Sequence, residues 1–301
     1  MKSYNQSRLS MSVTKAVMTF KDLFLNPICI NACLHYSYGK LLHRNWGDDI
    51  NIYFLEKLWK RPISYLYASP LSFRKRKTNY VVVGSTLTML ANENSVIWGA
   101  GIIDEKAEMS TLPKEIRAVR GPKTREWLLV RGVDCPEVYG DPALLLPRVY
   151  TPKYADKRYR LGIIPHYQDY DSEVLENLKA DSDVLFIKME GYSSWTDLVD
   201  QIASCDYIAS SSLHGLVIAE AYGIPNLWIE ITGKLMGGHF KFHDFFQSLH
   251  ADREQPFIVK QGMEAFDLLS MKATYVKGTI DLDPLIQSSP FQCHFIQSVN
   301  R

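Results

Sequence analysis

The run Ser210-Ser211-Ser212-Leu213-His214-Gly215-Leu216-Val217-Ile218-Ala219-Glu220-Ala221-Tyr222-Gly223-Ile224-Pro225 constrains the chain more than any other stretch. Asp206-Tyr207-Ile208-Ala209, just before it, reads as the end of a short buried strand. The three serines offer hydroxyls that can cap the free N–H groups of a helix start. Leu213, Leu216, Val217 and Ala221 then recur at core-facing helical spacing, Gly223 suits the left-handed position that ends a helix, and Pro225 prevents its continuation. A helix start carries unpaired N–H donors and partial positive charge, so this turn suits a phosphate or carboxylate, with His214 beside it. Two readings stay open on these residues: an anion site in which His214 does chemistry, or a turn whose serines only cap and whose histidine only bonds a neighbouring loop.

The rest of the chain repeats the strand-to-helix pattern. Apolar runs at Ile28–Leu34, Ile63–Tyr67, Tyr80–Val83, Val96–Trp98, Ile116–Val119, Glu137–Tyr139, Leu161–Ile164, Val184–Ile187 and Phe257–Val259 read as strands. Helices are expected over Val13–Leu25, after Asp48-Asp49 as cap, from Pro122 to Leu129, over Ser172–Lys179 and Ser194–Ser204, from Phe240 onward and near Met263–Leu269, the last part of the chain folding back on the first half. Strands closing on Gly84, on Gly101, before Arg120, before His166 and before Ser210–His214 put these residues at carboxyl ends, where open parallel sheets bind ligands. The Gly-rich loop Thr232–His239 has the composition of a lid.

Length allows two α/β units, 1–150 and 151–301, joined through a Pro-, Tyr- and charge-rich link from Pro147 to Arg160. The net charge of +1 hides an asymmetry, since residues 1–80 hold 13 Lys/Arg against 4 Asp/Glu. Five scattered cysteines, the lack of a signal-type or membrane-spanning apolar run and an ordinary soluble composition lead to the expectation of a cytoplasmic protein with reduced thiols. His239 and His243 share a helix-face spacing but lack a third ligand, so no metal is expected. Arg74-Lys75-Arg76-Lys77 is either a solvated loop or a patch for anionic lipid headgroups; no nucleic-acid-binding module accompanies it.

Four segments together resemble the polysaccharide pyruvyltransferase family. They are Leu198–Ile229 with its Ser-Leu-His-Gly, the loop Asn45-Trp46-Gly47-Asp48-Asp49-Ile50-Asn51, the order Val119-Arg120-Gly121-Pro122, helix, Gly140-Asp141-Pro142, and the segment Phe240–Asp244 with Lys241. Ser212 stands where many members carry an arginine, and Lys241 can restore that charge. The resemblance implies two Rossmann-like domains facing across a cleft, as in B-type (GT-B) glycosyltransferases, the first on the acceptor side and the second on the donor side. It implies phosphoenolpyruvate as donor, no cofactor, and a glycan or lipid-linked oligosaccharide acceptor that becomes a cyclic ketal, at the cytoplasmic membrane if residues 74–77 touch it. His214 would be the general acid or phosphate partner and Asp48 or Asp49 the base; Arg120, His166, Ser210, Ser211, Ser212, Gly215, Lys241, Gly84 and Gly101 would hold the donor. A nucleotide-sugar glycosyltransferase using Glu220 or Glu230 with Trp228, and a catalytically silent binding protein, are the alternatives.

Overall fold

The computed structural model describes residues 8–67, 78–153, 156–235, 237–251 and 253–296, so the basic run 74–77 lies outside the described residues. The chain begins with α1 (Arg8–Leu25), β1 (Ile28–Ile30), a two-stranded hairpin β2 (Tyr36–Ser37) and β3 (Lys40–Leu41), then α2 (Trp46–Trp59) and β4 (Ile63–Tyr65). Next come β5 (Asn79–Val81), α3 (Leu87–Leu90), β6 (Ser95–Trp98), β7 (Glu115–Ala118) and α4 (Pro122–Leu129). The second half holds β8 (Leu161–Ile164), α5 (Glu176–Ala180), β9 (Val184–Phe186), α6 (Trp195–Ala203), β10 (Ile208–Ser210) and α7 (Leu213–Ala221). It closes with β11 (Asn226–Glu230), α8 (Phe240–Ser248), β12 (Phe257–Ile258), α9 (Ala265–Ser270) and α10 (Asp283–Gln287).

Two parallel five-stranded sheets result, ordered β4-β1-β5-β6-β7 and β12-β11-β10-β8-β9. Both are Rossmann-like α/β layers, and several strands are buried along their whole length, which is why they read as unbroken apolar runs. The expected strand at Glu137–Tyr139 reduces to a single bridge from Val119 to Tyr139, since Pro136 and the Gly140 turn leave no room for a ladder. The expected link does not begin at Pro147. Residues Pro142–Arg148 form a 3₁₀ turn whose Ala143, Leu144, Leu145 and Leu146 are buried against α7.

The largest apolar cluster therefore runs through both halves, from Trp46, Ile50 and Phe54 of α2 by way of Leu145 to Leu216 and Val217 of α7 and Phe242 of α8. Helix α7 is apolar nearly all round, which marks a helix enclosed on every side rather than a surface helix. Burying Leu216, Val217 and Ile218 completely contributes roughly 1.5–3 kcal/mol each to holding it there. The last part of the chain folds back on the first half, as expected: the Trp98 indole donates to the Leu285 carbonyl at 2.9 Å, Trp59 donates to Ser289 Oγ at 3.2 Å, and Phe291 packs on Trp59 and Tyr80.

Candidate active site

A pocket of about 240 Å³ opens where the two sheets' carboxyl ends meet. From the first half it is lined by Cys33, Asn45, Asp48, Gly84, Ser85 and Thr86, and from the second by His166, Tyr170, Lys188, Ser212, His214 and Lys241. Of the residues expected from sequence, Asp48, Gly84, His166, Ser212, His214 and Lys241 meet here. Asp49, Gly101, Arg120, Ser210, Ser211 and Gly215 do not line it.

The start of α2 explains why one acid of Asp48-Asp49 faces the pocket. Neither caps the helix, contrary to the expectation. Asn45 does, accepting from the Gly47 N–H at 3.2 Å and donating from Nδ2 to Asp48 Oδ2 at 2.6 Å. Asp49 is buried and accepts from the Tyr192 hydroxyl at 2.7 Å, while His43 stacks on Tyr192 and ties it to Tyr53. Asn51, one turn on, accepts from the Val83 N–H at 2.9 Å and donates to the Val83 carbonyl at 3.0 Å, fixing the end of β5 and hence Gly84 beside Asp48. Gly84 has φ +122°, a conformation a side chain would strain.

The turn into α7 is held by its serines. Ser210 Oγ accepts from the Ser212 N–H at 3.0 Å and Ser211 Oγ accepts from the His166 N–H at 2.8 Å, locking β10 to β8. Ser212 occupies the cap position without a side-chain capping bond. Gly215 lets α7 lie against the sheet, because a Cβ there would come within 2.9 Å of Ile164 Cδ1. Gly47 of α2 plays the same part for His214: a Cβ there would sit within 2.6 Å of His214 Cγ, so the imidazole lies flat against the backbone of the other half. His214 Nε2, His166 Nδ1 and Thr86 Oγ1 are buried with no hydrogen-bond partner among the described residues. Native structures rarely leave such groups unmatched, and all three belong to residues that line this one pocket.

Arg120 lies behind the pocket. Its fully buried guanidinium donates to Asp244 Oδ2 at 3.0 Å, the Ile102 carbonyl at 2.9 Å and Ser85 Oγ at 2.5 Å, and Gly101 leaves room for it, since a Cβ there would lie 2.8 Å from Nε. Asp244 of α8 also accepts from the N–H of Thr124 at 2.8 Å and its hydroxyl at 2.7 Å, joining α8 to the start of α4. Arg120 thus reaches the pocket through Ser85 and through its charge. Burial, Arg120 and Lys241 together press His214 down to about 3, and burial with Lys241 presses His166 to about 4, so both imidazoles are neutral near pH 7. Lys241 falls to about 8 by burial and the Arg120 charge, partly restored by Asp48. Asp48 moves the other way, to about 7, through burial and the Asp49 charge, and Asp49 rises to about 6 through burial.

These shifts make a testable stability profile. A carboxyl raised in the folded state supports folding below its unfolded value and loses that support as pH rises through the folded one, here from about 4 to about 7. Asp48→Asn is expected to gain on the order of 1–3 kcal/mol over the parent protein at pH 8 and to match it near pH 4, read from urea unfolding at both pH values. Equal stability differences at the two pH values would refute the raised Asp48.

The residues a nucleotide grip would need are engaged elsewhere. Glu220 pairs with Arg253 at 2.5 Å, Glu230 with His239 at 2.6 Å, and Trp228 is buried under a stacked Phe242. His243 Nε2 bonds the Glu254 carbonyl at 2.8 Å. Gly237, in the expected lid, lies close to Ile103: a Cβ there would come within 2.9 Å of the Ile103 carbonyl carbon. Sequence reading missed Cys33, Asn45, Ser85, Thr86, Tyr170 and Lys188. None sits in a recognisable motif except Asn45, whose place in the Asn-x-Gly-Asp loop signals a cap.

Comparison with known proteins agrees with this geometry. The model of the family described as polysaccharide pyruvyl transferase matches residues 22–232, which takes in the α2 turn, Arg120 and the Ser-Leu-His-Gly turn but stops short of Lys241. An uncharacterized protein of Acanthamoeba polyphaga mimivirus, L143, is 30% identical over 215 residues, covering 70% of this chain and 73% of that protein. The succinoglycan biosynthesis protein ExoV of Rhizobium meliloti is 26% identical over 224 residues, and the match covers 70% of this chain and 64% of ExoV. No solved structure matches at a significant level. With well over half of its length matched and most of the pocket built inside that span, the chain belongs to the polysaccharide pyruvyl transferase family.

Proposed function

We propose that the protein moves the pyruvyl carbons of phosphoenolpyruvate onto two hydroxyls of a sugar in a surface polysaccharide or its lipid-linked precursor, giving a cyclic ketal and inorganic phosphate. The observation that carries this reading is that three residues lining a small pocket, Thr86, His166 and His214, each hold a buried polar atom without a partner (Oγ1, Nδ1 and Nε2), beside the cations of Arg44, Lys188 and Lys241. A small, highly charged anion satisfies both features. In this reading the halves 1–150 and 151–301 are acceptor and donor domains in a GT-B-like arrangement, and the basic run 74–77 meets anionic headgroups on the cytoplasmic side.

The pKa order exchanges the roles expected for the two central groups. Asp48, raised to about 7, is about half protonated at neutral pH, and in that form it gives its proton to the methylene carbon of the donor, so that positive charge develops at C2. One sugar hydroxyl adds to C2 and its proton passes to His214, whose basicity the bound anion raises by offsetting the Arg120 and Lys241 charges. The C2–O bond to phosphate then breaks, with Lys241 and the α7 N-terminus meeting the departing charge, and the second hydroxyl closes the ring. Protons balance: Asp48 gives one to the methyl group, and of the two hydroxyl protons one restores Asp48 and the other leaves on phosphate. Arg120 acts from behind through Ser85, and the reaction as drawn uses neither metal nor cofactor.

The test is calorimetric titration of phosphoenolpyruvate, with a uridine-diphosphate sugar and a cytidine-monophosphate sugar in parallel, followed by phosphate release with glycan acceptors. Saturable phosphoenolpyruvate binding that weakens at least about tenfold in Lys241→Ala is expected. Binding of a nucleotide sugar in place of phosphoenolpyruvate would overturn the donor assignment.

A further inference from the structure

Helix α1 is packed the wrong way round for a helix of a free globular protein. Its buried stripe is Ser10, Thr14 and Met18, held by short polar bonds to the hairpin: Ser10 Oγ to Ser37 Oγ at 2.8 Å, the Tyr38 N–H to Ser10 Oγ at 3.1 Å and the Gly39 N–H to Thr14 Oγ1 at 2.9 Å. Its apolar stripe faces outward. At about 100° per residue, Val13, Ala16, Val17, Phe20, Leu23 and Phe24 fall within an arc of about 120°. Of these Phe20 is 62% exposed, Leu23 64% and Phe24 68%, and the two phenylalanine rings lie 4.5 Å apart. A contiguous apolar face of this kind marks an interaction surface.

Charge selects the occupant. The first eighty residues carry 13 Lys/Arg against 4 Asp/Glu, a one-signed excess that repels a second copy of the same region and draws an anionic surface. A helix with Phe and Leu on one face and polar positions Ser12, Lys15 and Thr19 beside them has the form that lies in the plane of a bilayer interface. Among the described residues no helix is long and apolar enough to cross a membrane, so α1 would lie on the bilayer and not span it. We propose that α1 seats the protein on anionic lipid by burying Phe20, Leu23 and Phe24 among the headgroups. This assignment is independent of the transfer chemistry.

The experiment is co-sedimentation of the full chain with vesicles of phosphatidylcholine mixed with phosphatidylglycerol, and of phosphatidylcholine alone, for the parent and for a Phe20→Ser, Phe24→Ser variant. Both substitutions lie on the surface, so an unchanged thermal midpoint confirms the fold. The parent is expected to partition onto the anionic vesicles, more weakly in high salt, and the variant to partition about tenfold less or lower. No vesicle binding by the parent, binding that the variant leaves unchanged, or a dimer in light scattering that the variant splits without any vesicle binding would each overturn the proposal.

Discussion

His214→Gln is expected to lower turnover about 10²–10⁴-fold, read as phosphate released from phosphoenolpyruvate in the presence of acceptor, while the thermal midpoint stays within a few degrees. Glutamine keeps a hydrogen-bonding group at the pocket, so donor binding should survive in calorimetry. It has no ring nitrogen that can take a proton, which is the role an imidazole with an unmatched Nε2 can fill once a bound anion offsets the Arg120 and Lys241 charges that depress it. Gly47→Ala is the structural companion, because the added methyl would occupy the ring's own space and push His214 off line without altering its chemistry. If His214→Gln turned over at the parental rate, the catalytic assignment would be lost while the anion pocket stood.

The second large effect belongs to stability. Arg120→Ala is expected to cost about 3–5 kcal/mol in urea unfolding, because it strands the buried Asp244 carboxylate that also holds Thr124. Asp244→Ala should cost a similar amount, by stranding the arginine. The double variant Arg120→Met, Asp244→Asn is expected to lose much less than the sum of the single losses, since no unpaired charge remains. Single losses below about 1 kcal/mol would mean that the pair is not the clamp between α8 and α4 that its geometry describes.

Much of this was readable before any coordinates. Strands such as Leu161–Ile164 and Ser95–Trp98 are covered on both faces, so their sequences are continuous apolar runs. The turn into α7 announces itself through Ser-Ser-Ser and a Gly-Ile-Pro ending. What could not be read was direction. Asn45, Asp48 and Asp49 are all capping residue types, and only the fold decides that Asn45 caps, Asp49 turns to Tyr192 and Asp48 lines the pocket. Arg120 reads as an anion ligand because its Arg-Gly-Pro context is local, whereas its partner Asp244 stands 124 residues away. The β2–β3 hairpin was missed because Tyr38 and Gly39 supply its two positive φ angles without the Asn-Gly or Asp-Gly that usually signals such a turn.

The chain's return to its first half also sets a timetable for synthesis. Trp98 waits for Leu285, 187 residues further on, before its indole nitrogen has a partner. At ordinary elongation rates that interval is about 10–40 s, during which the aromatic surface later covered by Phe291 stands bare on the nascent chain. The first sheet can form early, but its outer layer arrives last. Folding of the two halves is therefore coupled in time as well as in space, and the period of greatest aggregation risk falls before the closing segment emerges, when a chaperone would have most to shield.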